Sequence, residues 1–202
     1  MPGDNLTRIE AQERKAIVDV SNYDVTLDLT TGEETFRSTT VVTFTATPGA
    51  STFIDAIIRT AVSVNLNGVD LDPSVADGVR IQLDNLAADN VLTVVADAEY
   101  TNTGEGLHRF VDPVDGEVYL YTQFEVPDSR RVFAVFEQPD LKATFTFTVT
   151  APDHWSVVSN SPTPEPVRAA EGTATWSFSP TPRISSYITA LIAGPYRSTH
   201  SE

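Results

Sequence analysis

Cysteine is absent from all 202 residues, which excludes disulfides, a thiolate metal site and a cysteine nucleophile, and fits a reducing compartment. Cations are scarce: 13 Lys and Arg stand against 28 Asp and Glu, a formal charge of −15. A nucleic-acid surface needs clustered cations to release counterions from phosphates, so that class of partner is excluded. Long apolar runs are also missing. No stretch approaches the ~18 apolar residues of a membrane helix, and Met1 to Lys15 is charged and polar, without an apolar leader segment. The expectation is a soluble, cytoplasmic chain that does not engage a membrane.

Nucleophile and metal motifs are missing too. There is no Gly-x-Ser-x-Gly and no glycine-rich phosphate loop. The three histidines, His108, His154 and His200, lie too far apart to share a helical face, so a His-Glu-x-x-His zinc site cannot be built here. Glu105 stands three residues before His108, but Gly104 and Gly106 disfavour a helix there, and His154 precedes Trp155 in another turn. Both histidines read as surface or turn residues, with neither catalysis nor tight metal binding expected within this chain.

What the sequence does contain is strand texture. One helical signal comes first: Thr7 and Glu10 have the spacing of a capping box, predicting a helix over about Thr7 to Glu13. From Asn22 to Leu29 the pattern turns to period two, with Tyr23, Val25, Leu27 and Leu29 on one side. Phe36 to Thr47 repeats it across a turn at Thr31–Glu34. Similar runs follow at 52–58, 61–66, 80–83, 91–100, 118–126, 142–150, 155–159, 173–178 and 186–194, many separated by turns such as Asn67-Gly68 and Asp115-Gly116. About eleven short Thr- and Val-rich strands without helical crossovers predict an all-β fold of antiparallel sheets packed face to face. Pro162, Pro164 and Pro166 mark a surface loop inside a single domain spanning residues 1–202.

The informative segment is Gly104 to Phe145. Strand alternation over Val118–Val126 places Gln123 and Glu125 on one face, roughly 7 Å apart. A carboxylate beside an amide can hold a cationic amine, although on spacing alone the pair equally decorates the solvent side of a sheet. The residues that follow, Asp128-Ser129-Arg130-Arg131-Val132-Phe133-Ala134-Val135-Phe136-Glu137-Gln138-Pro139, lead into the strand start Lys142-Ala143-Thr144-Phe145. Together with Thr122-Gln123-Phe124-Glu125, this block closely resembles the N-terminal domain of zinc aminopeptidases of the aminopeptidase N family. The pattern there is Gln-x-Glu, then Ala-Arg-Arg-x-Phe-Pro-Cys-Phe-Asp-Glu-Pro and Lys-Ala-x-Phe. Gly106-Leu107-His108-Arg109, Trp155 to Asn160 and Ser186 to Ala190 are similar to the family as well, so the resemblance spans nearly the whole chain. Ser129, Ala134, Val135, Glu137 and Gln138 depart from the pattern, at positions that read as packing at the bend. The family's Gly-x-Met-Glu-Asn motif cannot occur, because the only Met is Met1.

The resemblance implies a saddle-like multi-sheet β-sandwich with a short N-terminal helix, covering a zinc-bearing catalytic domain absent from this chain. It implies that Glu125 binds the free α-amine of a peptide substrate and that Gln123 helps form the first side-chain pocket. Zinc would belong to the parent enzyme, and the isolated chain would be inactive and prone to self-association through the face that meets the catalytic domain. Tyr119 and Tyr121 read as wall or interface residues. Two other classes remain open from the residues themselves. One is a stand-alone β-sandwich module binding carbohydrate or protein on Tyr119, Tyr121 and Trp155. The other is a glycosidase using Glu117 and Glu125, disfavoured because its carboxylates would have to face each other across a cleft.

Overall fold

A computed structural model describes residues 5–169, 172–197 and 199; His200 lies outside them. The capping box forms as its spacing requires: the Thr7 N–H donates to Glu10 Oε2 at 2.8 Å and the Glu10 N–H to Thr7 Oγ1 at 3.2 Å. Helix α1 (Arg8–Ile17) runs four residues past the expected end. Its only buried residue is Arg14, whose polar contacts hold the last turn together with the partly buried Ile17 packed on the core.

The strands are β1 (Val18–Asp28), β2 (Thr35–Ala46), β3 (Thr52–Asp55), β4 (Thr60–Leu66), β5 (Val69–Leu71), β6 (Arg80–Leu83), β7 (Asp89–Glu99), β8 (Gly106–Val111), β9 (Val118–Gln123), β10 (Thr144–Pro152), β11 (Ser156–Ser159), β12 (Val167–Arg168), β13 (Thr173–Ser177) and β14 (Leu191–Gly194). The fold is an all-β sandwich. Strand β1 begins earlier than the alternation from Asn22 suggests, because a bulge between Val20 and Asn22 shifts the register. Val18 and Val20 before it, and Tyr23, Val25 and Leu27 after it, thereby all reach the core.

Eight strands form one sheet in the order β12-β13-β10-β1-β2-β7-β4-β5, and a four-stranded sheet runs β11-β14-β9-β8. A two-stranded sheet, β3-β6, accompanies them. Among the named strands the pairing is antiparallel, as expected, except at β1·β10, which is parallel. Its partners lie so far apart in the chain that the whole of β2–β9 serves as their crossover.

The core is bridged by a segment that is not a strand. Val132 to Phe136 is fully buried, so the departures at Ala134 and Val135 do pack the bend. The Phe133 ring lies 5.9 Å from Phe124, just past β9, and 5.8 Å from Phe147 on β10, tying the small sheet to the large one. Tyr23 stacks on Phe145 at 4.8 Å across the parallel pair.

Candidate functional site

Strand β9 has one face in the core, through Leu120, and one face outward, carrying Tyr119, Tyr121 and Gln123. The strand ends at Gln123, three residues before the expected Val126. Glu125 therefore sits in the following turn and not on the strand, a correction to the alternation argument. The pair is nonetheless joined. The Glu125 N–H, beyond the last ladder position, donates to Gln123 Oε1 at 2.6 Å. Both residues are exposed, with buried Phe124 pinned between them. Among the described residues, nothing donates to or pairs with the Glu125 carboxylate, which leaves a formal charge open to an incoming cation.

Buried groups hold the far side of this turn. Glu137, 3% exposed, accepts from the Ser129 hydroxyl, from the Arg130 N–H at 2.9 Å and from the Ser186 hydroxyl at 2.5 Å. Burial pushes its carboxyl above the usual carboxylate range, against the pull of those three donors. The Glu137 N–H donates to Asp55 Oδ2 at 3.0 Å, and the same oxygen receives Arg14 Nη1 from α1. Gln138 completes the link, accepting from Arg14 Nε at 3.1 Å and donating to the Ala11 carbonyl at 3.0 Å. The departures at Ser129, Glu137 and Gln138 are thus members of a hydrogen-bonded network from helix to turn. Sequence reading named Glu137 only as a packing position at the bend and missed Arg14 and Asp55, since a charged residue carries no periodic signal of burial.

Gly106, the register partner of Gln123, has φ +62° and lies under Arg131, whose Cβ would stand 2.9 Å from an added Cβ. Arg131 pairs with Asp128 at 2.8 Å and Glu105 at 3.1 Å. His108 is not in a turn: it lies on β8, opposite Tyr121, and stacks on that ring at 4.7 Å. Its Nδ1 accepts from the Gly104 N–H at 3.1 Å. His154 is exposed in a turn, as expected. Among the described residues, no three His, Asp or Glu side chains converge to hold a metal ion.

The outer face of the small sheet is apolar. Val158, Ile192, Tyr121 and His108 form one cross-strand row over β11, β14, β9 and β8. A cleft of about 390 Å³ opens there, lined by His108, Phe110, Asp112, Tyr119, Tyr121 and Tyr196. Trp155 is absent from it, packing partly against the core, so the three-ring platform of a stand-alone module does not assemble. Glu117 precedes β9 and Glu125 follows it, with Glu117 turned toward His154 at 3.8 Å, so the glycosidase pair does not meet.

Comparison with known proteins agrees with this picture. Residues 19–188 match the family model described as the Peptidase M1 N-terminal domain. The chain is 59% identical over 206 residues to aminopeptidase N of Streptomyces lividans, a match covering 100% of this chain and 24% of that protein. It is 41% identical over 83 residues to aminopeptidase N of Acetobacter pasteurianus, covering 41% of this chain and 23% of that protein. Aminopeptidase Ey of Gallus gallus is 34% identical over 83 residues, with 40% of this chain and 8% of that protein covered. The chain thus spans about a quarter of the length of the Streptomyces relative, and it belongs to the family of peptidase M1 N-terminal domains.

Proposed function

We propose that this chain is the substrate-anchoring domain of a zinc metalloaminopeptidase that releases N-terminal residues from peptides. The observation that carries the reading is the exposed Glu125 carboxylate, without a partner among the described residues and tied through its own amide to Gln123. In this reading Glu125 takes the substrate's α-ammonium group. An anchor on the free amine fixes the scissile bond one residue from the chain start, which is the positioning an exopeptidase requires. Zinc would be held by residues outside this chain, and the domain alone would not hydrolyse peptides. The catalytic domain is the partner, docking on the apolar face around Tyr121 and Ile192 beside the Gln123 end of β9.

The test is Glu125→Ala in the full-length enzyme, assayed on unblocked aminoacyl p-nitroanilides. Loss of a charge-assisted hydrogen bond of about 1.5–3 kcal/mol should lower kcat/KM by roughly 10- to 100-fold. Unchanged kinetics would overturn the assignment.

A further inference from the structure

The cleft on the small sheet is walled by the rings of Phe110, Tyr119, Tyr121 and Tyr196 and by the imidazole of His108. Cross-strand register pairs His108 with Tyr121 and Phe110 with Tyr119, so strands β8 and β9 present these side chains together on the outer face. Tyr196, two residues past the end of β14, closes one side, its ring 5.0 Å from that of Tyr119 with 73° between their planes. The Tyr119 hydroxyl donates to Asp115 Oδ2 at 2.9 Å, which holds that ring in place. The turn between the two strands is acidic: Asp112, part of the lining, is followed by Asp115 and Glu117. Asp112 Oδ1 accepts from the Val114 N–H at 2.8 Å, and among the described residues no cation pairs with Asp112 or Asp115.

Aromatic faces carry negative potential, and a carboxylate beside them adds a full charge, so such a cleft selects a cation. A metal ion does not suit it, because ring carbons supply no ligands and the lining offers one carboxylate. Two walls set at 73° make a corner for a compact group and not the flat platform on which a sugar lies. A second copy of this chain, itself at −15, is repelled by the same carboxylates. From these observations we infer that the cleft receives one arginine or lysine side chain of the catalytic domain, held by cation–π contacts with the tyrosines and Phe110 and by the Asp112 carboxylate. The inference rests on the catalytic domain docking on this face and is independent of the amine anchor. Docking removes water from the cleft and strengthens the contact. Because the cleft lies at the start of β9 and Gln123 at its end, the same contact fixes the strand that leads to Glu125.

The probe is a benzophenone amide of N-acetylarginine, whose blocked amine keeps it off the Glu125 anchor, with the N-acetylnorleucine amide as its uncharged counterpart. On the 202-residue chain, photolysis should label the peptides carrying Tyr119 and Tyr196, severalfold more with arginine than with norleucine. Asp112→Asn keeps the Oδ1 acceptor for Val114 and should cut this labelling about threefold. In the full-length enzyme the cleft should be protected. There Asp112→Asn should lower the unfolding temperature, while leaving that of the 202-residue chain unchanged. Equal labelling by the two probes overturns the cation preference. Protection of the shorter chain that disappears on dilution assigns the cleft to a second copy and overturns the catalytic domain as occupant. Protection in the full-length enzyme with no response to Asp112→Asn points to an uncharged occupant and overturns the inference as well. If the full-length enzyme is labelled while hydrogen exchange shows β14 protected by docking, the inference falls and the docking face stands. If the cleft and β14 are both open, the docking reading falls with it.

Discussion

Arg14 on α1 and Asp55 on β3 form an ion pair at 2.6 Å with both side chains 1% exposed. The guanidinium also lies over the Phe53 ring, 4.8 Å from its centroid. Removing one member of such a pair leaves the other charge buried and uncompensated, which typically costs about 3–5 kcal/mol. Arg14→Met should therefore destabilise the 202-residue chain by about that much in urea denaturation. Arg14→Met with Asp55→Asn should recover part of the loss.

Two carboxylates should give stability opposite dependences on pH. Arg80, hydrogen-bonded at 2.6 Å, holds the Glu10 carboxyl down from 4.5 to about 2. That pair stabilises the fold above pH 4.5, and its contribution fades as pH falls toward about 2. Burial raises Glu137 above 4.5, so its contribution is complete below that pH and is lost as pH rises through the folded value. In thermal scans, the deficit of Glu10→Gln relative to wild type should shrink on acidification. The deficit of Glu137→Gln should shrink as pH rises.

Gly106 tolerates its conformation because it has no Cβ. Alanine there would adopt a left-handed φ and push on the Arg131 stem. Gly106→Ala should cost roughly 1–3 kcal/mol and, in the full-length enzyme, raise KM, since the displaced strand pairs with Gln123. Denaturation together with steady-state kinetics checks both effects.

The apolar row on the small sheet should drive self-association when the chain is isolated. Tyr121 and Ile192 are each 40% exposed, Val158 46%, and they adjoin one another across three strands. Sedimentation should show a concentration-dependent shift to larger species, abolished by Ile192→Asp. A strict monomer over a wide concentration range would argue against a large docking face there.

Most of the sandwich could be read from period-two runs, because alternating burial is what an antiparallel sheet imprints on a sequence. The failures are specific. The bulge after Val20 reverses the parity of β1, so Val18 and Val20 fell outside a pattern anchored at Tyr23. Strand β8 was hidden by its opening Gly106 and by His108, which resemble turn punctuation; a positive φ at the first position and a ring opposite Tyr121 are invisible without the partner strand. The sequence placed Gln123 and Glu125 together for a reason that proved incomplete: the strand stops between them and a hydrogen bond, not the pleat, makes them neighbours. The supporting carboxylate at Asp55 becomes legible only once folding has removed it from water, and for Glu137 the sequence suggests packing at the bend without its hydrogen bonds.

The parallel pairing of β1 with β10 has a consequence for biogenesis. A ribosome must pass Phe145 before Tyr23 can meet it, so the large sheet cannot close early in synthesis. Until then β1 presents an unsatisfied edge, a template for pairing with other chains, and any truncation upstream of Thr144 should aggregate through it.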